Sequence, residues 1–287
     1  MKPTLAEFLQ QPIDLVNEIV PETVVYSCAG SRRQAALAGV PATGNAFAQW
    51  SHEQMLKTIS MLMSYRIRHL FVPLLLPNQF KEQTPNYREK LEGWVEWGIA
   101  SQTMLDFYRT HQWRVRLLGT EQLPSLHATA ERLDQTDQAS EQQTLWWYIV
   151  PDQEQAWQTI FRAIQQRTIT SRAEAIQAIY GEAIAPAELF ISFGKPMLNA
   201  HVIPPLLVGE LQCYWTQKPG YNLSEEEFRQ ILYDFAFLRK TWQADKTERP
   251  QAALDFRHHW ERGPILGLGQ QLGPFWYPQS TSIESEL

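Results

Sequence analysis

Two adjacent arginines, Arg32 and Arg33, follow a glycine–serine turn and are the residues of this sequence best suited to chemistry. Gly30 and Ser31 form the turn, and an apolar segment over 24–26 precedes it. A strand, a glycine turn and a helix N-terminus leave backbone N–H groups without partners, and the helix dipole there favours negative charge. Guanidinium groups match phosphate oxygens, and each charge-assisted hydrogen bond contributes about 1.5–3 kcal/mol. This turn therefore forms a candidate diphosphate-binding site.

A purely structural interpretation of the turn stays open. In it, a surface helix begins near Ser31 and the arginines pair with nearby glutamates. Cys28, just before the turn, has no histidine or other base at a spacing that indicates a nucleophile. It is therefore interpreted as a buried residue at the end of a strand.

The remaining segments indicate how these residues are positioned. Six apolar segments predict strands: 22–28, 69–76, 113–119, 144–150, 187–193 and 210–216. Helical patterns lie between or after them: 51–66, 86–109, 153–166, 171–181 and 224–242. Strands that alternate with helices predict an α/β fold with a mostly parallel central sheet flanked by helices.

Composition narrows the classes of function. The chain has 287 residues, 44% of them hydrophobic, enough for one large α/β domain or two small ones. Its 11 Trp, 10 Tyr and 13 Phe are numerous. Structural cores take most such residues, but an enzyme cavity that holds an apolar substrate or a carbocation also needs them, because aromatic faces stabilise cations. The net charge of -6 argues against a nucleic-acid partner.

The sequence also indicates where the protein works. The N-terminal segment lacks the apolar run of a signal peptide, and no 18-residue apolar window predicts insertion into a membrane. Only Cys28 and Cys213 are present, which suits a reducing compartment. We therefore expect a cytoplasmic location.

Several motifs resemble one family. They are "AGSRR" over 29–33, "LFISFG" over 189–194, "YGEAIAPAE" before it, and the more specific "RQILYDFAFLR" over 229–239. Together they resemble the tuberculosinol/isotuberculosinol synthases (tuberculosinyl transferases), which have the cis-prenyltransferase fold of undecaprenyl diphosphate synthase. The resemblance covers nearly the whole chain and implies a single domain over 1–287.

The resemblance also implies an activity. Members of this family are diterpene synthases, and the closest similarity is to those acting on a bicyclic clerodane substrate, kolavenyl diphosphate. Such an enzyme ionises the allylic diphosphate and adds water, which gives a tertiary allylic alcohol and diphosphate. The family also forms homodimers, so a second copy of the chain is the implied partner.

Site residues follow from the resemblance position by position. Arg32 and Arg33 match the arginine pair that grips the leaving diphosphate. Phe47 falls where the family has a catalytic tyrosine, and Tyr87 lies near another tyrosine of the cavity.

An aromatic pocket is a further expectation. Trp94 and Trp97 share a helix face and, with Phe47, are candidate walls around the cation. Ordinary core packing is the alternative for both tryptophans.

Two departures from the family concern metal binding. Ala29 stands where the family has an aspartate that orders metal and diphosphate. The late-strand glutamate of cis-prenyltransferases aligns with Gln212, which leaves only Glu210, two residues away on the same face, as a candidate metal ligand. Mg²⁺ dependence is therefore open, and Ala29 marks either a natural sequence that relies on its arginines or an inactivated Asp-to-Ala variant.

Two other functions remain as alternatives. One is a transferase that passes the cation to a nucleoside or to isopentenyl diphosphate; the absent carboxylates count against chain elongation. The other is a non-catalytic partner subunit, which Ala29 fits but the retained Arg32 and Arg33 do not.

Overall fold

The protein is built around a six-stranded parallel sheet. The computed structural model describes residues 2–83, 87–135, 143–242 and 244–279. The strands are β1 (Thr23–Ser27), β2 (His69–Leu75), β3 (Arg114–Leu118), β4 (Thr144–Ile149), β5 (Ala187–Phe193) and β6 (Val208–Thr216). Their order is β3–β4–β2–β1–β5–β6, with every neighbouring pair parallel. All six predicted strands and the parallel α/β architecture are confirmed.

Helices cover the sheet and extend beyond it. They are α1 (Leu5–Leu9), α2 (Ile13–Asn17), α3 (Ser31–Leu37), α4 (Gly44–Ser64), α5 (Pro77–Phe80), α6 (Tyr87–Ala100), α7 (Gln102–Thr110), α8 (His127–Asp134), α9 (Gln155–Gln166), α10 (Arg172–Tyr180), α11 (Glu225–Tyr233), α12 (Arg249–Asp255) and α13 (Arg257–Glu261). A hairpin of β7 (Gly269–Leu272) and β8 (Phe275–Pro278) follows.

Two predicted helices are corrected. The helix predicted over 86–109, whose first residue lies outside the described residues, is two helices, because Ser101 takes an extended conformation (ψ 158°) between α6 and α7. The helix predicted over 224–242 begins with the capping box of Ser224 and Glu227 but changes to a π-helical turn over Asp234–Leu238.

The π-helical turn braces the last strand of the sheet. Asp234 accepts hydrogen bonds from the Tyr214 hydroxyl on β6 and from Arg239 Nε, each at 2.6 Å. Arg239 also donates to the Cys213 carbonyl and to Gln212 Oε1 at 3.3 Å. Asp234 and Arg239 of the "RQILYDFAFLR" motif therefore hold the π-helical turn against β6.

Both faces of the sheet are buried. Side chains alternate along β1, so that Val24 and Tyr26 join the cluster on one face and Val25 joins the cluster on the other. Trp147 and Trp146 on β4 divide between the two faces in the same way. The near-continuous apolar segments of the sequence are explained by this double burial.

The order of the strands also locates a crevice. β1 connects to β2 on one side, whereas β5, its other neighbour, connects to β6 on the opposite side. Ligands of open α/β sheets bind at the carboxyl ends of the strands where the order reverses in this way. The glycine–serine turn directly follows β1, at this point.

A buried histidine makes stability depend on pH. Burial lowers the pKa of His69 from 6.5 to about 4, and its Nδ1 accepts a hydrogen bond from Trp146 Nε1 at 3.3 Å. Below pH 6.5 the unfolded chain protonates this histidine and the folded chain does not, because its folded-state pKa is lower. The free energy of unfolding therefore falls by about 3 kcal/mol between pH 6.5 and pH 4. We expect His69→Asn, which keeps an acceptor for Trp146, to flatten this loss in urea titrations between pH 7 and pH 4. If the free energy of unfolding fell equally with pH in both proteins, His69 would not be the cause of the loss.

Candidate active site

A large cavity opens at the carboxyl ends of β1 and β2. Its volume is about 580 Å³, and α3, α4 and α6 supply most of its remaining wall. Eight of the predicted site residues line this cavity: Ala29, Gly30, Ser31, Arg32, Phe47, Tyr87, Trp94 and Trp97. Arg33 and Glu210 do not line it. Positions spread over 69 residues of sequence thus meet in one cavity.

The turn before α3 requires glycine. Gly30 has φ +81°, and a Cβ added there would lie 3.1 Å from Pro219 Cβ and 3.2 Å from Phe193 Cε1. The preceding Ala29 carbonyl accepts a hydrogen bond from the Gly220 N–H at 2.7 Å. No side chain of the described residues caps α3, so its first N–H groups stay available at the cavity.

Arg32 faces the cavity and already has an anionic partner. Its Nη2 lies 3.3 Å from Glu82 Oε2, and its guanidinium lies 5.4 Å from the centre of the Tyr87 ring. The side chain is half-exposed. The structural and functional interpretations of Arg32 are therefore compatible, because an entering anion can compete with an exposed ion pair.

Arg33 is directed elsewhere. It does not line the cavity, and its guanidinium stacks 3.9 Å from the ring centre of Phe275 on β8 and 5.4 Å from that of Phe193. Its Nε is buried without a hydrogen-bond partner among the described residues. Adjacent residues on a helix point about 100° apart, which separates the two arginines. The role of Arg33 as a second diphosphate ligand stays a prediction.

Four predicted aromatic side chains also line the cavity. Phe47 comes from α4, and Tyr87, Trp94 and Trp97 come from α6. Trp97 is 43% exposed, so ordinary core packing does not describe it, whereas Trp94 also packs against the core. Burial raises the pKa of Tyr87, which keeps its hydroxyl protonated and able to donate.

The sequence interpretation missed His52, which also lines the cavity. Its Nε2 lies 2.7 Å from the Gly98 carbonyl oxygen, and its ring packs 4.8 Å from that of Trp97. Burial lowers its pKa below 6.5. Helical spacing from Phe47 indicates Ser51, four residues further along the same face, but it does not single out His52.

Cys28 directly follows β1 and lines the cavity, where its thiol is held in the protonated form. Burial raises its pKa to about 12, and its side chain hydrogen-bonds with that of Tyr221. A thiol held in its protonated form is a poor nucleophile. The sequence interpretation is therefore right about the position at the end of a strand, but Cys28 is half-buried and not fully buried.

The side chains present do not fit a metal ion held by the protein. Within the described ranges, no three His, Cys, Asp or Glu side chains group as ligands. The methyl group of Ala29 offers no donor. Glu210 does not line the cavity. Trp215 on β6 lies at the same height in the sheet as Ser27, the last residue of β1. Glu210 comes five residues before Trp215 and is therefore about 16 Å further down the strand, away from the cavity. Sharing a strand face with Gln212 does not bring it to the site.

None of the helices in the described ranges combines the length and the apolar character needed to cross a bilayer. The longest of them, α4, carries polar and charged residues along its 21 positions.

Comparison with known proteins gives two relatives by sequence. The chain is 66% identical over 285 residues to (+)-kolavelool synthase of Herpetosiphon aurantiacus, covering 99% of each protein. It is 25% identical over 248 residues to tuberculosinyl adenosine transferase of Mycobacterium tuberculosis, covering 81% of this chain and 82% of the relative. No protein-family model matches the sequence.

Two solved structures share the fold. Lavandulyl diphosphate synthase from Lavandula x intermedia, in complex with dimethylallyl diphosphate, gives a TM-score of 0.56 at 16% identity over 77% of this chain and 97% of that one. A probable undecaprenyl diphosphate synthase from Campylobacter jejuni gives 0.57 at 11% identity over 77% and 98%.

Proposed function

Because this chain belongs to the kolavelool synthase family and has the cis-prenyltransferase fold, we propose that it converts kolavenyl diphosphate and water into kolavelool and diphosphate. The observation that carries the proposal is one cavity that combines a guanidinium beside an uncapped helix start with an aromatic wall. A bicyclic diterpenyl diphosphate requires hydrogen-bond donors for its diphosphate and an apolar wall around its hydrocarbon rings, and this cavity has both.

The reaction begins with heterolysis of the allylic C–O bond. Arg32 and the free N–H groups of α3 take up the negative charge that grows on the diphosphate. Preorganised donors of this kind contribute about 2.7–4 kcal/mol each. Phe47, Trp94 and Trp97 shield the allylic cation and stabilise it through their ring faces. Water then adds at the tertiary carbon.

Mg²⁺ supplies no step in this proposal, because the side chains present do not fit it. Glu82 is the carboxylate among the lining residues, and it is paired with Arg32. Mg²⁺ dependence stays open, because this ion is also held by one carboxylate together with substrate phosphates.

Product analysis tests the proposed function. The purified chain is incubated with kolavenyl, tuberculosinyl and geranylgeranyl diphosphates, with and without Mg²⁺, and alcohols and diphosphate are quantified. We expect kolavelool from kolavenyl diphosphate. No product from any substrate, before or after Ala29→Asp, would overturn the proposal and favour a non-catalytic partner subunit.

The Ala29→Asp variant separates the two interpretations of this position. Ala29 is exposed at the cavity, so a carboxylate fits there and adds the oxygen donor that the site lacks. We expect the variant to bind Mg²⁺ more tightly and to turn over faster, as measured by diphosphate release across a Mg²⁺ titration. Activity that appears only in the variant identifies an inactivated sequence. A variant slower than the parent chain would contradict the expectation.

A transferase is the second candidate. The 25% identical relative is named as a transferase to adenosine, which favours a nucleoside acceptor over isopentenyl diphosphate. Adding adenosine to the same assay distinguishes the two, because a transferase would form a diterpenyl nucleoside at the expense of the alcohol.

A homodimer, a single domain over 1–287 and a cytoplasmic location complete the proposal. Support for the dimer comes from the C-terminal helices, whose large apolar side chains are exposed: Leu254, Phe256 and Trp260. Sedimentation equilibrium at micromolar concentration would give a monomer mass if this is incorrect. Both cysteines are free, in keeping with a reducing compartment, and cell fractionation tests the location.

A further inference from the structure

One face of α4 supplies the cavity with both apolar and polar side chains. Phe47, Ser51, His52 and Met55 lie at helical spacing, and all line the cavity. His52 is therefore placed on the same wall as the aromatic residue that shields the cation.

The hydrogen bond of His52 fixes which nitrogen carries the proton. A carbonyl oxygen only accepts, so the 2.7 Å contact with Gly98 requires a proton on Nε2. Nδ1 of the neutral ring then carries a lone pair. Within the described residues it has no hydrogen-bond partner and is not among the polar atoms sealed from solvent. The packing of Trp97 against the ring holds this orientation.

The surroundings of His52 keep the ring neutral. Burial lowers its pKa below 6.5, and the Gly98 hydrogen bond and the charge of Glu53 on the same helix oppose this only in part. The other charged or titratable side chains that line the cavity are Cys28, Arg32, Glu82, Tyr87 and Tyr221. Cys28, Tyr87 and Tyr221 have raised pKa values and stay protonated at neutral pH. Among them, His52 is a neutral base with a free lone pair.

We propose that His52 is the general base that accepts a proton from the water molecule as it adds to the allylic cation; this inference rests on the proposed function. The C–O bond to diphosphate breaks first, and its electron pair leaves with the diphosphate. A lone pair of water forms the new C–O bond, and one water proton passes to Nδ1. The imidazolium then returns this proton to diphosphate or solvent, so that alcohol and protonated diphosphate are the only products.

The product ratio reveals this role, because it is set after ionisation. A cation that is not captured by water loses a proton and gives a hydrocarbon with an additional double bond. We expect His52→Gln, which retains a donor for Gly98, to release diphosphate within threefold of the parent rate while its alcohol-to-hydrocarbon ratio falls at least tenfold. In the parent chain this ratio should fall as the pH drops through the lowered pKa of His52, and in the variant it should not vary with pH.

His111→Gln is the matched control, since His111 is exposed and lies outside the cavity. His52→Asn is the second variant if His52→Gln does not fold, as judged by thermal unfolding. An unchanged alcohol fraction and an unchanged pH profile in the variant would overturn the inference and assign the base to the departing diphosphate. If the parent chain releases no diphosphate from any substrate, the proposed function fails and this inference fails with it.

Discussion

Replacing Arg32 with glutamine is expected to slow diphosphate release from kolavenyl diphosphate by about 100- to 1,000-fold, the usual cost of one preorganised donor. The Arg32 guanidinium lines the cavity and is paired there with the carboxylate of Glu82. When the substrate binds, its diphosphate is the second anionic group beside Arg32. Glutamine retains hydrogen-bond donors but loses the charge. Because the lost interaction is strongest in the transition state, the effect should appear in kcat more than in KM.

Arg162→Gln is the control for this prediction. Arg162 is an exposed arginine on α9, and the described residues offer it no ion pair. Both variants should retain the unfolding temperature of the parent chain. A rate for Arg32→Gln within threefold of the parent rate would remove Arg32 from the proposed mechanism.

Replacing Arg229 with alanine is expected to lower the free energy of unfolding by about 1–3 kcal/mol, the cost of leaving buried acceptors without their donor. The side chain is only 11% exposed. It donates to the Gln11 carbonyl and to the Tyr65 hydroxyl, each at 2.7 Å, and to the Leu9 carbonyl at 3.2 Å. Alanine leaves these acceptors without their donor.

A neighbouring arginine provides a matched comparison. Arg66 also contacts the N-terminal segment, through Asp14 at 3.1 Å, but both side chains are more than 70% exposed. Exposed ion pairs contribute about 0–1 kcal/mol, so Arg66→Ala should change urea unfolding little. Similar losses for Arg66→Ala and Arg229→Ala would show that burial does not set the strength of these contacts.

The sequence predicts the sheet well, because burial on both faces produces continuous apolar segments that are visible without any tertiary information. Helix ends are harder. Ser101 interrupts one predicted helix through its own backbone conformation, and the apolar stripe of α11 continues through the π-helical turn, so periodicity alone does not reveal either change.

The site was only partly predictable for similar reasons. Arg32 is predicted from its place after the glycine–serine turn, and Phe47 and Tyr87 from the resemblance; the structure brings all three to one cavity. The ring on which the Arg33 guanidinium stacks belongs to Phe275, a residue 242 positions later in the chain. His52 becomes informative only when the carbonyl of Gly98 on α6 fixes its tautomer. Such long-range contacts leave no local pattern.

The contact between Arg33 and Phe275 links the end of the chain to its beginning. Phe275, in the hairpin of β7 and β8, stacks on the guanidinium of Arg33, the residue that directly follows Arg32. Removal of the chain from Gly273 onward would therefore take away the Phe275 ring and leave the Arg33 guanidinium stacked only on Phe193. Expression designs that leave the C-terminus native are the safer choice for kinetic work.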